Sequence, residues 1–212
     1  IENGDILAVT GGTTLAEVAS EMSYSTESRD VTVVPGRGGL GEDVEIQANT
    51  IAAEIAKKLG GSYHLLHIPD NMTEENIYHI TKEPTIKRTL EILKRANILI
   101  HGVGTVEDMA GRRGMDEKEI KELLNAGAVG EAFGFYFNAQ GEIIYSTTSV
   151  GLNLDDLQSI NKVIVVAGGE NKAEAIISAV SSKYQDILIT DEITARKIIS
   201  LKGGEAEDRL AN

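Results

Sequence analysis

Four times in this chain an apolar, β-branched run stops at a glycine and passes straight into a helix-forming stretch: LAVTGGTTLAEVA, TVVPGRGGLGEDVEIQANTIAAEIA, ILIHGVGTVEDMA and VIVVAGGENKAEAIISAV. Continuous apolar runs of this kind suit strands buried on both faces of a parallel sheet. A helix that begins just after such a strand leaves its first backbone N–H groups without intrahelical partners, aimed beyond the strand tip. If the four strands are parallel neighbours, their loops meet on one edge of the sheet, where open α/β folds take their ligands. The repeated unit thus predicts an architecture and, with it, a place suited to an anion.

The remaining chain extends the alternation. Residues 5–9 read as a first strand, and Thr13 or Thr14 as the cap of a helix carrying Leu15, Val18, Ala19 and Met22. Residues 31–34 form a second strand and residues 35–41 a loop. Ile51, Ala52, Ile55 and Leu59 then recur at helical spacing, with Gln47 in the first turn and Gly60-Gly61 as the stop. A third strand is predicted over residues 63–68, a polar irregular stretch over 69–83, and a helix opened by Pro84 and ending near residue 96. Residues 98–101 are the fourth strand.

Asp116 is placed to cap a helix that stops near Gly127, and residues 133–137 and 142–146, joined by Asn138-Ala139-Gln140-Gly141, read as a hairpin. A strand over 162–167, a helix over 172–182, a strand over 187–190 and a helix opened by Asp191 complete the pattern. Residues 202–212 have little apolar content and are expected to fray. The prediction is a three-layer α/β fold, a mainly parallel sheet with a small antiparallel excursion, in one domain over residues 1–212.

Composition narrows the function. A chain of 212 residues with 42% hydrophobic content can bury one substantial core. It holds no cysteine, which excludes disulfides and thiolate metal sites and fits a cytoplasmic setting. No apolar run approaches the roughly 20 residues of a membrane helix, so no membrane partner is expected. Net charge is −13, and no basic cluster exceeds Lys57-Lys58 or Arg112-Arg113, so this chain alone is not expected to hold nucleic acid. Because salt screens charges over about 8 Å, cations beside the glycine loops matter more for a small anion than the overall charge does.

Each loop carries two readings. Gly11 and Gly12 permit close approach, and Thr13 and Thr14 add hydroxyls to a helix start; this suits a phosphate, or simply a tight turn capped by threonine. Arg37 stands among glycines, and Gln47 follows it at the next helix. An arginine there grips a phosphate with two hydrogen bonds, or is a solvated surface group. The third segment, GVGTVEDMAGRRG, reads as a long polar loop in which Gly102 and Gly104 precede Arg112 and Arg113. Those arginines suit an anion, or one of them pairs with Glu107 or Asp108. Glu131, an acid among small apolar residues, would accept hydrogen bonds from sugar hydroxyls or pair with one of the arginines. In the last loop Gly168 and Gly169 precede Lys172, whose charge opposes the helix dipole and is explained by a bound anion, or by solvation.

Familiar catalytic sets are missing. His64, His67, His79 and His101 show no HExxH or paired metal spacing, and structural roles are expected for them. There is no GxSxG elbow and no Walker lysine motif. GRGGLG has the glycine spacing of a dinucleotide loop but carries an arginine and follows the second strand. Neither a metal nor a cofactor is expected.

Together, the GGTT loop, the PGRGG loop with Gln47, the HGVGT loop and the AGGENKAEAI loop resemble the effector-binding domain of SorC/DeoR-type bacterial sugar regulators over essentially the whole chain. The resemblance is nearest to the branch that governs glycolytic genes in bacilli, whose effector is fructose 1,6-bisphosphate. It implies the fold class shared by glucosamine-6-phosphate deaminase, ribose-5-phosphate isomerase and CoA transferases. It also implies a repressor that works as a homodimer or tetramer, with operator DNA held by a helix-turn-helix region in front of residue 1. Carried over residue by residue, it assigns Gly11, Gly12, Thr13, Thr14, Arg37 and Gln47 to sugar-phosphate binding, and Arg112, Glu131 and Lys172 to the remaining polar contacts. The acidic motifs of the deaminase and isomerase enzymes are not found; Glu107-Asp108 is the nearest feature and is flanked differently. The rival readings are an isomerase or amino-sugar deaminase acting on a sugar phosphate, with Glu131 or Asp108 as base, and a nucleotide-binding module.

Overall fold

Six parallel strands run through the centre of the molecule, whose computed structural model describes residues 1–26, 30–40, 43–69 and 72–210. Numbered along the chain, they are β1 (Ile6–Val9), β2 (Thr32–Pro35), β3 (Ser62–Tyr63), β4 (Ile98–His101), β9 (Lys162–Val166) and β10 (Ile187–Ile189), in the order β10-β9-β4-β1-β2-β3. The strands that precede the four glycine junctions are therefore consecutive neighbours. Their registers, Leu7 beside Val33 and Ile98, and Leu99 beside Val163, bring the four tips to one edge.

Alternation along these short strands builds the layers. Leu7, Val9 and Val33 project to one face, where Leu15 and Ala19 of α1 (Thr13–Glu21) and Ile51, Ala52 and Ile55 of α2 (Ala48–Leu59) cover them. Ala8, Val34 and Leu99 project to the other, beneath Leu93 of α4 (Pro84–Leu93) and Leu157 of α7 (Leu154–Ser159). Leu7, Leu15, Ile51, Ile55 and Leu99 are fully buried. Each such side chain contributes about 1.5–3 kcal/mol relative to exposure, which is why the sheet needs no polar assistance at its centre. The three-layer α/β expectation holds.

A second sheet grows from the β4 tip. Strands β5 (Gly104–Thr105), β6 (Gly130–Ala132), β7 (Phe135–Phe137) and β8 (Ile143–Ser146) pair antiparallel in that order. Two helices, α5 (Val106–Arg112) and α6 (Glu117–Asn125), connect β5 to β6, and α6 carries the expected Asp116 cap as a full capping box with Glu119. Helix α8 (Ala173–Ser181) joins the sheets: Ala175, Ile176 and Ala179 pack with Val165 of β9 and with Ala132 and Phe137. The hairpin read from the sequence is β7–β8. It belongs to a larger sheet because the segments completing it, two and three residues long, carry no alternation to read.

Several boundaries move, each for a local reason. The third strand is only Ser62–Tyr63; Leu66 and Ile68 are buried in a separate cluster with Val150 instead of extending the sheet edge. The stretch expected to be irregular contains α3 (Glu74–Ile80), started by the Thr73 hydroxyl, which accepts from the Asn76 N–H. The third junction is not a long polar loop, since α5 starts directly after Thr105. Thr13 and Thr14 do not cap α1; Gly12 is its N-cap, just as Gln47 is the N-cap of α2 and not part of its first turn. Helix α7 has no counterpart in the sequence reading. The last helix, α9 (Glu192–Leu210), continues beyond residue 202, where fraying was expected. Gly41 of the second loop and residues 211–212 lie outside the described residues.

Candidate functional site

The four strand tips open into a cleft with about 890 Å3 of space, its mouth included. The β1 tip supplies Gly11, Gly12, Thr13 and Thr14. Gly11 lies so close to the next loop that a Cβ there would stand 2.8 Å from the Ile46 carbonyl oxygen, which is why this position is glycine. The Gly12 N–H donates to that same carbonyl at 2.8 Å, locking the first junction to the second. Helix α1 then starts with no side chain capping it, so its positive end faces the cleft.

The β2 tip supplies Arg37 and Gln47. Its loop is held between two strips of backbone. Gly38 N–H donates to Val150 O, Leu152 N–H donates to Gly36 O, and Gly39 bridges to Pro69. The Arg37 guanidinium donates from Nη2 to Thr147 Oγ1 at 2.8 Å and lies over the Phe133 ring, 5.7 Å from its centroid.

Gly102, Gly104 and Arg112 come from the β4 tip and α5. Here the two arginines part company. Arg112 is exposed, whereas the Arg113 side chain is 3% accessible and pairs with Glu131, equally buried, at 3.0 Å. Arg113 also donates to Tyr136 Oη at 3.4 Å and to the Met109 carbonyl at 3.3 Å. The same Glu131 oxygen accepts the Gly134 N–H. Glu131 thus lines the cleft as the partner of an arginine and of a turn, the blander of its two sequence readings, and Arg113 is the arginine that pairs with it. Burial pushes the Tyr136 phenol up from its usual value, with Glu131 adding to the rise and Arg113 opposing it.

From the β9 tip, Lys172 reaches the cleft, but Gly169 does not line it. The Gly169 N–H is taken up inside the protein, by Thr194 Oγ1 at 2.8 Å and Asp191 Oδ2 at 3.1 Å. Asp191 also accepts from the Thr194 N–H and hydroxyl, and these hydrogen bonds hold its carboxyl down at about 2. His101, at the end of β4, is buried with Nδ1 donating to the Gly102 carbonyl. Burial lowers its pKa, so it stays neutral and structural, as its sequence setting suggests. Among the described residues no group of three or more His, Cys, Asp or Glu side chains is arranged to hold a metal, and no helix is long and apolar enough to cross a membrane.

Four cationic residues, Arg37, Arg112, Arg113 and Lys172, therefore line the cleft against two acids, Asp108 and Glu131, in a chain whose net charge is −13. Phe133, Gly134 and Thr147 were missed by the sequence reading. Their one local signal is the Phe-Gly pair between two short apolar runs, which marks a two-residue turn but gives no hint that the turn leans on Arg37.

A family model described as "Putative sugar-binding domain" matches residues 1–200. The chain is similar to the central glycolytic genes regulator of Priestia megaterium, 47% identical over 193 residues, covering 91% of this chain and 56% of that protein. The regulator of the same name from Bacillus subtilis is 44% identical over 195 residues, covering 92% and 57%. The chain thus spans a little over half the length of these curated relatives. Among solved structures, one described as a "putative SorC family transcriptional regulator" from Enterococcus faecalis superposes with a TM-score of 0.85 at 40% identity, covering 94% of this chain and 82% of that one.

Proposed function

This chain belongs to the sugar-binding domain family, a regulatory and not an enzymatic one, and from that premise we propose that its cleft senses a phosphorylated sugar, fructose 1,6-bisphosphate foremost. The observation that carries this reading is the origin of the lining: cations from three strand tips and an uncapped helix start from a fourth surround one cleft. A sugar with two phosphates engages groups from separate tips at once and ties them together. On this reading the chain is the effector-binding part of a repressor of glycolytic genes. Bound ligand changes how two or more copies associate and present the DNA-binding region that lies outside this chain. Such a switch requires that the ligand favour one state over another.

Thermal melting against a panel of fructose 1,6-bisphosphate, fructose 6-phosphate, ATP and inorganic phosphate tests the proposal. Ligand at 100 times Kd adds about 2.7 kcal/mol. At roughly 2–4 °C per kcal/mol for a chain of this size, the midpoint rises by about 5–11 °C. A shift with the bisphosphate no larger than with inorganic phosphate sinks the sensor reading. A larger shift with ATP would favour a nucleotide site instead.

A further inference from the structure

The one non-glycine residue with positive φ among the described residues is Phe133, at +55°, and it sits on the cleft wall. With Gly134 at φ +84° it makes the two-residue turn between β6 and β7, whose register places Ala132 opposite Phe135. Both central residues of such a turn are left-handed, so asparagine, aspartate or glycine is the unstrained choice at the first. A phenylalanine held there is strained by the clash of its Cβ with the backbone. Strain of this kind persists where surrounding structure enforces it, and it gathers at ligand sites.

The surroundings show what the strained conformer does. The Phe133 ring lies against Gly36, where an added Cβ would stand 3.0 Å from Cε2, and edge-on to His101 at 6.2 Å. Its face is toward the Arg37 guanidinium. Gly134 completes the seat: a Cβ there would land 1.6 Å from Arg37 Nη1, so glycine leaves the guanidinium its place against the turn. The Gly134 carbonyl accepts from the Thr147 N–H at 2.9 Å and from its hydroxyl at 3.3 Å, and that hydroxyl in turn accepts from Arg37. Glu131 holds the turn from the other side through the Gly134 N–H.

We infer that Phe133 is a positioning residue for anion recognition: the turn it strains into shape, together with Gly134, holds the Arg37 guanidinium in the cleft before a phosphoryl group arrives. This inference rests on the sensor reading and adds to it the element that fixes one of its cations. An arginine held in advance loses less side-chain freedom when its ligand binds, so the turn raises affinity through the guanidinium.

The test is a double-mutant cycle read by calorimetric titration of this chain with fructose 1,6-bisphosphate. Phe133→Leu keeps an apolar, Cβ-bearing residue at the same turn position but removes the aromatic face. Alone it is expected to weaken binding about three- to tenfold, the order of the side-chain freedom that a guanidinium no longer held in advance loses on binding. In an Arg37→Ala background it is expected to change affinity less than twofold, since its effect runs through the guanidinium. Equal losses in both backgrounds, or no loss in the first, overturn the inference while leaving the sensor reading intact. Absence of binding by the unaltered chain removes the sensor reading, and this inference with it. Gly134→Ala, whose Cβ displaces Arg37 directly, is expected to weaken binding at least as much as Phe133→Leu; full affinity in that variant also overturns the inference.

Discussion

The first and last junctions share a sequence form, a strand ending in Gly-Gly ahead of a helix, yet the structure uses them differently. At Gly11-Gly12 the loop leans on a backbone carbonyl of its neighbour, and α1 begins uncapped toward the cleft. At Gly168-Gly169 the N–H that an anion would seek is occupied by Asp191 and Thr194, and the loop contributes only the Lys172 side chain. The third junction sides with the last, because Thr105 caps its own helix by accepting from the Asp108 N–H. In both loops the second glycine's N–H is claimed by an internal acceptor; the two differ in what they send to the cleft, Gly11 to Thr14 from the first and Lys172 alone from the last. Such an acceptor can lie more than 20 residues along the chain.

Three substitutions, the first with a control beside it, press on this contrast. The largest effect belongs to the internally satisfied side. Arg113→Met leaves Glu131 charged and buried without its partner, a loss of about 3–5 kcal/mol. The melting midpoint is expected to fall by about 6–20 °C, whereas Arg112→Met next to it, on an exposed side chain, should move it by about 2 °C or less. Similar shifts for both would mean that the buried pair carries no special weight. Next comes Lys172→Ala, which removes the charge the last loop does send into the cleft. Loss of a charged hydrogen bond of about 1.5–3 kcal/mol should raise the Kd for fructose 1,6-bisphosphate about 10- to 100-fold. The ligand-free melt should stay nearly unchanged, and a fall in stability matching the loss of affinity would make the lysine structural.

The smallest expected effect tests the staple itself. The Asp191 carboxyl titrates at about 2 in the folded protein, below its ordinary value. The stability it confers is therefore fully present above about pH 4 and is lost as pH falls through about 2. Asp191→Asn keeps a capping side chain without the charge. The gap in melting midpoint between parent and variant should be a few degrees near neutrality and close as the acid limit is reached, with bisphosphate affinity the same in both. A gap that does not vary with pH would deny the carboxylate its role.

The sheet was legible because its strands are short, continuous and buried on both sides: Leu7, Val9, Val33, Val34 and Leu99 read as strand residues wherever they are met. The edges were not. Tyr63 is half-exposed at the margin and the chain leaves the sheet after it, so Leu66 and Ile68 imitate a strand while packing elsewhere. Helix α3 is only about two turns long and its apolar side is the single pair Ile77 and Ile80, too little to read as a stripe, and β5 and β6 are too short to alternate. In the cleft, the loops that supply Thr13, Arg37 and Lys172 were visible because glycine stands beside a hydroxyl or a charge in sequence. Arg112 and Arg113 could not be told apart, since one residue along a helix end turns a side chain from solvent to Glu131. Nor could Gly169 be read as occupied, because its acceptors belong to another helix.

The strand order carries a kinetic consequence. Strand β4, whose tip carries part of the cleft wall, pairs with β1 through Leu7 and Ile98, so residues at opposite ends of the first half of the chain must meet before the site exists. Closing a loop of that length comes late and slowly when a sheet assembles. A ligand that recognises the finished cleft can therefore do little to hasten folding. It acts on the way out, holding the four tips together and slowing the opening of the sheet, so that occupancy lengthens the life of the folded state.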